Sequence, residues 1–188
     1  SKAKKYRSCI VGQMLETEFD DLSRRALEDG TRLGFAYTGI DESDNGILAE
    51  RIHQNDIVYD RRECKYGKPQ NAFRIHRVSR DFLAELYPDE EEYILNEAPA
   101  SQVRQSDTNN SDDGPSIGDL ADYVDAWTGW HLPSTSDSED GRKAVIVGSR
   151  TLAHERWLEP RLPWSMFQLS DPDDGMYPTG FVDDLIEM

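Results

Sequence analysis

The stretch NAFRIHRVSR, residues 71–80, gathers four side chains that can bind anions: Arg74, His76, Arg77 and Arg80. A planar guanidinium binds phosphate through two parallel hydrogen bonds, and an imidazole changes its charge near neutral pH. This cluster of residue types predicts a binding site for a phosphate-bearing ligand. Apolar and polar residues alternate in the stretch, which predicts a β-strand.

The basic residues are concentrated in one part of a strongly acidic chain. The 188 residues carry a formal net charge of −16. Residues 51–80, which we call the basic block, contain 8 basic and 3 acidic residues, whereas residues 81–188 contain 6 basic and 24 acidic residues. The overall acidity argues against non-specific binding of nucleic acid or acidic membranes by the molecule as a whole. Anion binding is therefore expected at the basic block.

Strand alternation predicts which cationic side chains share a face. Arg74 and His76 point to one side of their strand, and Arg77 points to the other side together with Phe73. Arg51 and His53 share one face of an earlier candidate strand, and cations of the connecting turn flank it. If the two strands are neighbours, their cations form one polar surface. The candidate ligand-binding residues are Arg51, His53, Arg61, Arg62, Lys65, Lys68, Arg74, His76 and Arg77.

Two other interpretations stay open for the same charges. The acidic half of the chain can cover the basic block, because opposite charges attract, and the cations then form intramolecular ion pairs. Alternatively, the acidic C-terminal region is itself a surface for a protein partner, including one that imitates DNA phosphates and inhibits a nucleic-acid-binding protein.

The pattern of elements predicts an α+β fold. Helical spacing predicts a helix at 17–30, with Thr17 as its N-cap and Gly30 just beyond its end. Four short alternating runs between residues 31 and 78 predict strands, and Ser79 is expected to cap a short helix with Phe82, Leu83 and Leu86 facing inward. Further on, DLADYVDAW has helical spacing and KAVIVGS is typical of a buried strand. The order favours a small SH3-like antiparallel β-barrel with flanking helices and an acidic C-terminal region.

Composition divides the chain into four segments. They are an N-terminal segment at 1–16, a barrel with its following helix at 17–96, a flexible acidic linker at 97–118, and an acidic C-terminal region at 119–188 that is expected to pack on the barrel.

The run from Leu22 to Val78 resembles the WYL-domain family of SH3-like barrels. LSRRALEDGTRLGFAYTG is similar to the helix and strand with which members begin, and NAFRIHRV is similar to their closing strand. The Trp-Tyr-Leu triplet of the family is absent. The resemblance implies a regulatory module that binds nucleic acids or nucleotide-like ligands through basic residues, and it points to Arg74 and Arg77.

Catalytic signatures are not found in the sequence. The four histidines and two cysteines have no metal-ligand spacing, and no glycine-rich phosphate loop or nucleophile motif occurs. We therefore expect a binding protein with no cofactor and no metal. Trp127, Trp130, Trp157 and Trp164 are expected to pack internally, and stacking platforms for bases are the alternative.

The expected location is the cytoplasm. Cys9 and Cys64 are far apart and form no disulfide framework. No stretch reaches the length of about 18 apolar residues that a membrane helix needs.

Overall fold

The architecture comes from a computed structural model that describes residues 2–43, 46–64, 69–101, 122–135, 138–171, 177–178 and 180. The helices in these ranges are α1 (Lys2–Glu16), α2 (Phe19–Leu33), α3 (Arg61–Cys64) and α4 (Arg80–Leu86). A π-helix at Tyr93–Glu97 and 3-10 turns at Gln54–Asp56 and Pro88–Glu90 are also present. None of the described helices is long and apolar enough to cross a membrane.

The strands form two antiparallel sheets. They are β1 (Phe35–Ser43), β2 (Gly46–Ile52), β3 (Ile57–Tyr59), β4 (Asn71–Ser79), β5 (Tyr123–His131), β6 (Arg142–Val147), β7 (Arg150–Arg156) and β8 (Trp164–Gln168). One sheet has the order β2-β1-β8 and the other has the order β3-β4-β5-β6-β7. The predicted α+β class is confirmed. Neither sheet closes on itself within the described residues, so a closed barrel is not observed there.

The chain forms two compact units that interleave along the sequence. The first combines Ser1–Gln54, Cys64–Lys68 and Leu162–Met188, and the second combines Asn55–Glu63 with Pro69–Arg161. The first unit contains the three-stranded sheet and the second contains the five-stranded sheet. The C-terminal region consequently supplies strands to both sheets. The predicted linker lies outside the described residues from residue 102 onward.

In the first unit, the helix predicted at 17–30 is confirmed as α2, with both of its ends displaced. The N-cap is Glu18 rather than Thr17, and the helix continues past Gly30 to Leu33. Gly30 is buried, and a Cβ there would lie 2.8 Å from the ring of Phe167 in β8. Gly34 ends the helix with a φ of 85°, which glycine adopts without strain. Gly30 therefore serves close packing of α2 on β8 and does not terminate the helix.

In the second unit, one face of the five-stranded sheet packs against helices. Residues that lie directly opposite on paired strands point to the same side, so the register assigns each side chain to a face. The buried cluster contains Val124, Ala126 and Val147 of the sheet, Leu83 and Ala84 of α4, and Tyr93 and Ile94 of the π-helix. We call the sheet side with Val124 and Ala126 the inner face. The opposite side, with Phe73, Ile75, Arg77, Trp127 and His131, is the outer face.

The helix predicted at DLADYVDAW is wrong, because Tyr123–His131 forms strand β5. This strand pairs with β4 over its whole length, and Val124, Ala126, Thr128 and Trp130 are its buried residues. Their period of two matches a sheet with one packed face. Pairing with β4 overrides the local helical spacing, which is a weak signal in a short apolar run. The strand predicted at KAVIVGS is confirmed as β6.

Arg80 of the opening stretch has a structural role. Its Nη1 donates to the carbonyl oxygen of Ile94 at 2.6 Å, and its Nη2 donates to that of Ala98 at 2.8 Å. The guanidinium thereby links the start of α4 to the π-helix. Ser79 caps α4 as predicted, and Leu83 is buried. Phe82 and Leu86 do not face inward as predicted, because they lie on the exposed side of α4.

The buried hydroxyl of Tyr93 gives a test of this core. It donates a 2.9 Å hydrogen bond to the carbonyl oxygen of Val147. Tyr93→Phe leaves that buried oxygen without this donor, so we expect the free energy of unfolding to fall by about 1–3 kcal/mol. Urea unfolding followed by circular dichroism measures the change. Tyr123→Phe, the same substitution at an exposed site, should stay within about 0.5 kcal/mol of the wild type; equal losses in the two variants would contradict the assignment.

Candidate functional site

The predicted residues Arg51 and His53 belong to the first unit. Arg51 lies in β2, and its Nε is 3.1 Å from Oδ2 of Asp29 in α2. His53 follows β2 and is exposed. The condition for one polar surface, that this strand neighbours β4, is not met, because β2 pairs with β1 whereas β4 belongs to the five-stranded sheet. The hydrophobic pattern identifies strands but does not identify their partners, and the single polar surface depended on that pairing.

The cations of the connecting turn are only partly described. Arg61 and Arg62 lie in the short helix α3, and Arg62 is exposed. The backbone amide of Arg62 donates to Oδ1 of Asp60 at 2.8 Å. Lys65 and Lys68 lie outside the described residues.

In β4 the predicted alternation is confirmed, and it places Arg74 and His76 on the inner face. Arg74 lies directly opposite Thr128 and His76 lies opposite Ala126, both of which are buried. Nε of Arg74 is itself buried, and both side chains interact with neighbouring groups. These two residues therefore contribute to the packed side of the sheet.

Arg77 lies on the outer face, where the acidic half of the chain partners it. Its Nε donates to Oγ of Ser101 at 2.8 Å and is 3.8 Å from Oδ1 of Asp125. Ser101 in turn donates to the same Asp125 oxygen at 2.8 Å. At this position, intramolecular pairing of the basic block with the acidic half is observed.

A second set of basic side chains crosses the outer face, and none of them is among the candidates selected from the sequence. His131, Arg142 and Arg156 lie directly opposite one another on β5, β6 and β7, in line with Asn71 of β4. Neighbouring strands are about 5 Å apart, so the three side chains emerge as one row across the sheet. We call His131, Arg142 and Arg156 the cationic row.

Hydrogen bonds orient the members of the cationic row. Nδ1 of His131 is 2.8 Å from Oδ1 of Asn71, whose Nδ2 donates to Oε1 of Glu63 at 2.6 Å. Nη1 of Arg142 donates to the carbonyl oxygens of Glu139 and Gly141 at 2.9 and 2.8 Å. Nη1 of Arg156 is 2.9 Å from a carboxylate oxygen of Glu139, in an exposed ion pair.

Two exposed aromatic side chains lie beside this row. Phe73 of β4 is 38% exposed and Trp127 of β5 is 37% exposed, and both lie on the outer face. Phe73 is directly opposite Gly129, and a Cβ on that glycine would lie 2.8 Å from the Phe73 ring. The glycine thus gives the ring room to lie across β5. We call Phe73 and Trp127 the aromatic pair.

The four tryptophans divide between the two roles that the sequence left open. Trp130 and Trp164 are buried. Trp157 packs edge-on against Trp130, with ring centroids 6.5 Å apart. These three pack internally, as expected. Trp127 is the most exposed of the four.

Sequence reasoning missed the cationic row because it treated the start of β5 as a helix. The signal that identifies the strand is the alternation of buried residues from Val124 to Trp130. With β5 recognised as a strand, Trp127 and His131 fall on the face opposite that set. The alignment of Arg142 and Arg156 with His131 depends on strand register, which sequence periodicity does not specify.

The turn that leads into β6 is organised by Asp140. Its carboxylate accepts hydrogen bonds from the hydroxyls of Ser134 and Ser138 and, at 3.0 Å, from the backbone amide of Ser134. These bonds favour the charged form and hold the pKa of Asp140 well below its usual range. The turn thereby leads directly into Arg142, the central member of the cationic row, at the start of β6.

The comparisons with known proteins leave the family open. No protein-family model matches the chain, and a search of the curated proteins gives no match. The resemblance to WYL domains therefore stays a prediction. Within the described residues, no group of three or more His, Cys, Asp or Glu side chains could hold a metal ion.

The placement of Arg74 predicts a structural phenotype. Arg74→Ala removes a half-buried side chain from the inner face, and we expect the free energy of unfolding to fall by about 1–3 kcal/mol. Urea unfolding measures the loss. Arg62→Ala, at an exposed position, should change stability by less than about 0.5 kcal/mol. The assignment would be contradicted if Arg74→Ala were as stable as the wild type.

The Asp140 turn predicts a pH dependence. Because the folded-state pKa is lowered, this carboxylate contributes stability above its unfolded-state pKa, and the contribution is lost as pH falls through the folded-state value. Ser134→Ala should raise the pKa of Asp140 towards its ordinary value, since the Ser134 hydroxyl is the largest cause of the shift. An NMR titration of the Asp140 carboxyl carbon measures it. Ser149→Ala, in the exposed β6–β7 turn, is the control, and an unchanged pKa in Ser134→Ala would refute the role of that hydroxyl.

Proposed function

We propose that this chain is a non-catalytic binding module for a phosphate-bearing ligand, a nucleic acid or a nucleotide, and that the outer face of the five-stranded sheet receives it. The observation that supports this proposal is the cationic row, three cationic or titratable side chains aligned on adjacent strands. Guanidinium groups held in fixed positions by local hydrogen bonds suit bidentate phosphate binding.

The distribution of acidic residues supports the same face. Among the outer-face positions of the described strands, Asp125 is the one acidic residue, and it faces Arg77. Glu139 partners Arg156 from the adjoining turn. Glu63 accepts from Asn71 at the β4 side of the row. The strand positions of this face therefore carry more basic than acidic side chains in a chain with a net charge of −16, which favours a phosphate there.

The residues selected from the sequence have different roles in this proposal. Arg77 flanks the ligand on the outer face, where Asp125 and Ser101 orient it. Arg74 and His76 support the sheet from its inner face. The remaining candidates stay predictions: Arg51 as an anchor, His53 as a ligand-binding residue, and Arg61, Arg62, Lys65 and Lys68 as steering charges.

The SH3-like barrel of a WYL-type module stays a prediction for residues 17–96. The order from α2 through β1 to β4 supports it, because the resemblance implies a helix and strand at the start and a basic strand at the end. The alternative function, an acidic surface that binds a protein partner, also stays a prediction, since much of the acidic half lies outside the described residues.

The test compares two neighbouring cations on opposite faces of β6. Arg142→Gln removes a cation from the outer face, whereas Lys143→Gln removes one from the inner face and changes the net charge equally. With a labelled single-stranded oligonucleotide of about 12 nucleotides, Arg142→Gln should weaken binding about fivefold or more. The slope of log K against log salt should shrink by about 0.7, the value for one lost phosphate contact on a single strand.

Fluorescence anisotropy at several salt concentrations measures both quantities. Lys143→Gln should leave the slope and the affinity near their wild-type values. Equal losses in the two variants would show that net charge, and not the outer face, determines binding, and the proposed site would then be wrong.

A further inference from the structure

We infer that the outer face binds single-stranded nucleic acid and that the aromatic pair stacks on its unpaired bases. This inference rests on the proposed function, which concerns the phosphates alone. It adds a class of ligand, single strands rather than duplexes or free phosphate, and it assigns a base-binding role to Phe73 and Trp127.

The register brings the two aromatic side chains together on the outer face. Phe73 lies opposite Gly129, and Trp127 lies opposite Ile75, so the two aromatics occupy diagonal positions on adjacent strands. Diagonal neighbours on one face of an antiparallel pair have Cβ atoms about 7 Å apart, within reach of aromatic rings. The pair therefore presents two aromatic side chains at neighbouring positions on the same face of β4 and β5.

Gly129 sets the orientation of the Phe73 ring. Three ring carbons of Phe73 lie 2.8, 3.0 and 3.7 Å from the point where a Cβ of residue 129 would stand. A ring with these three atoms above one backbone position lies across the strand, and it is still 38% exposed. The next residue across the sheet is Ala144, which is also small. The ring thus leans over the backbone of Gly129, and part of it stays exposed to solvent, where a base can reach it.

Cations lie at both ends of the aromatic pair. Along β4, Asn71 marks the cationic row, Phe73 follows two residues later, and Arg77 lies beyond Ile75. Two residues of an antiparallel strand span about 7 Å, so Phe73 lies about 7 Å along the sheet from the cationic row. A chain of phosphates with bases attached can reach the row and the rings together, which a free phosphate cannot.

The chemistry favours a single strand over a duplex. An aromatic ring stacks on the face of any base, but in a duplex those faces are covered by neighbouring base pairs. Four-stranded RNA-binding sheets use exposed aromatics on adjacent strands in this way to stack two or three bases. An apolar peptide could pack on the aromatic pair, but it would offer no anionic group to the flanking arginines. Its binding would therefore depend only weakly on salt.

The experiment separates base stacking from phosphate binding within one set of probes. The full chain is titrated against a labelled oligonucleotide of about 12 nucleotides, against an abasic strand with the same phosphodiester backbone, and against the corresponding duplex. We expect the base-containing single strand to bind at least about 5- to 150-fold more tightly than the abasic strand, since that is the range for each stacked base and the abasic strand loses both.

The variants assign the effect to the aromatic pair. Phe73→Leu and Trp127→Leu should each weaken binding of the base-containing strand within the same range and leave the affinity for the abasic strand unchanged. Phe82→Leu is the matched control, because Phe82 is exposed on α4, which packs on the inner face, and it should bind all the probes as the wild type does. Urea unfolding confirms that each variant is folded, and the abasic comparison on the wild type needs no variant.

The outcomes distinguish the two proposals. If the abasic and base-containing strands bind equally, or the duplex binds as tightly as the single strand, stacking on the aromatic pair is wrong and phosphate binding stands. If no probe binds even at low salt, the proposed function fails and the stacking inference fails with it. If bases increase affinity but both variants retain it, the bases are bound elsewhere and the assignment to Phe73 and Trp127 is overturned.

Discussion

The packing of α4 and the π-helix against β4, β5 and β6 decides which face of the five-stranded sheet the helices cover and which face carries the exposed aromatic pair. Burial of apolar surface between these elements is the main stabilising contribution in this unit. Because side chains alternate along a strand, covering one face leaves the other for solvent and ligands. Arg80 secures the arrangement by donating to the carbonyl oxygens of Ile94 and Ala98. The side of the sheet that is available for binding is thus a consequence of helix packing.

This constraint separates the cations of one strand into two roles. Arg74 and Arg77 have the same side-chain chemistry, but they are three residues apart and therefore point in opposite directions. On the inner face, Arg74 lies directly opposite the buried Thr128 and belongs to the fold. On the outer face, Arg77 retains contact with solvent and is balanced by Asp125. The other arginines of the outer face are Arg142 and Arg156, which lie outside the basic block.

Prediction from the sequence was reliable where the signal is local. The helix α2, the strand β4 with its alternation and the cap at Ser79 all follow from residue types within a few positions of one another. It failed at β5, where helical spacing and strand alternation were both present in a short segment. There, pairing with β4 along the whole strand decided the structure. Because β4 lies more than 40 residues away in sequence, the local sequence of β5 does not reveal this pairing.

By itself, the sequence determined the chemical types in the molecule: an acidic chain with arginines gathered in a β-strand, an α+β composition and the alternation of side chains in that strand. Only the tertiary structure decided that Arg51 and Arg74 belong to different sheets, that the Arg74 side is packed, and that His131, Arg142 and Arg156 align on the other side. The physical reason is that the alternation of side chains along a strand defines two faces but does not determine which of them is buried. Which face is buried depends on the helices that pack on it, and which residues become neighbours depends on register with distant strands.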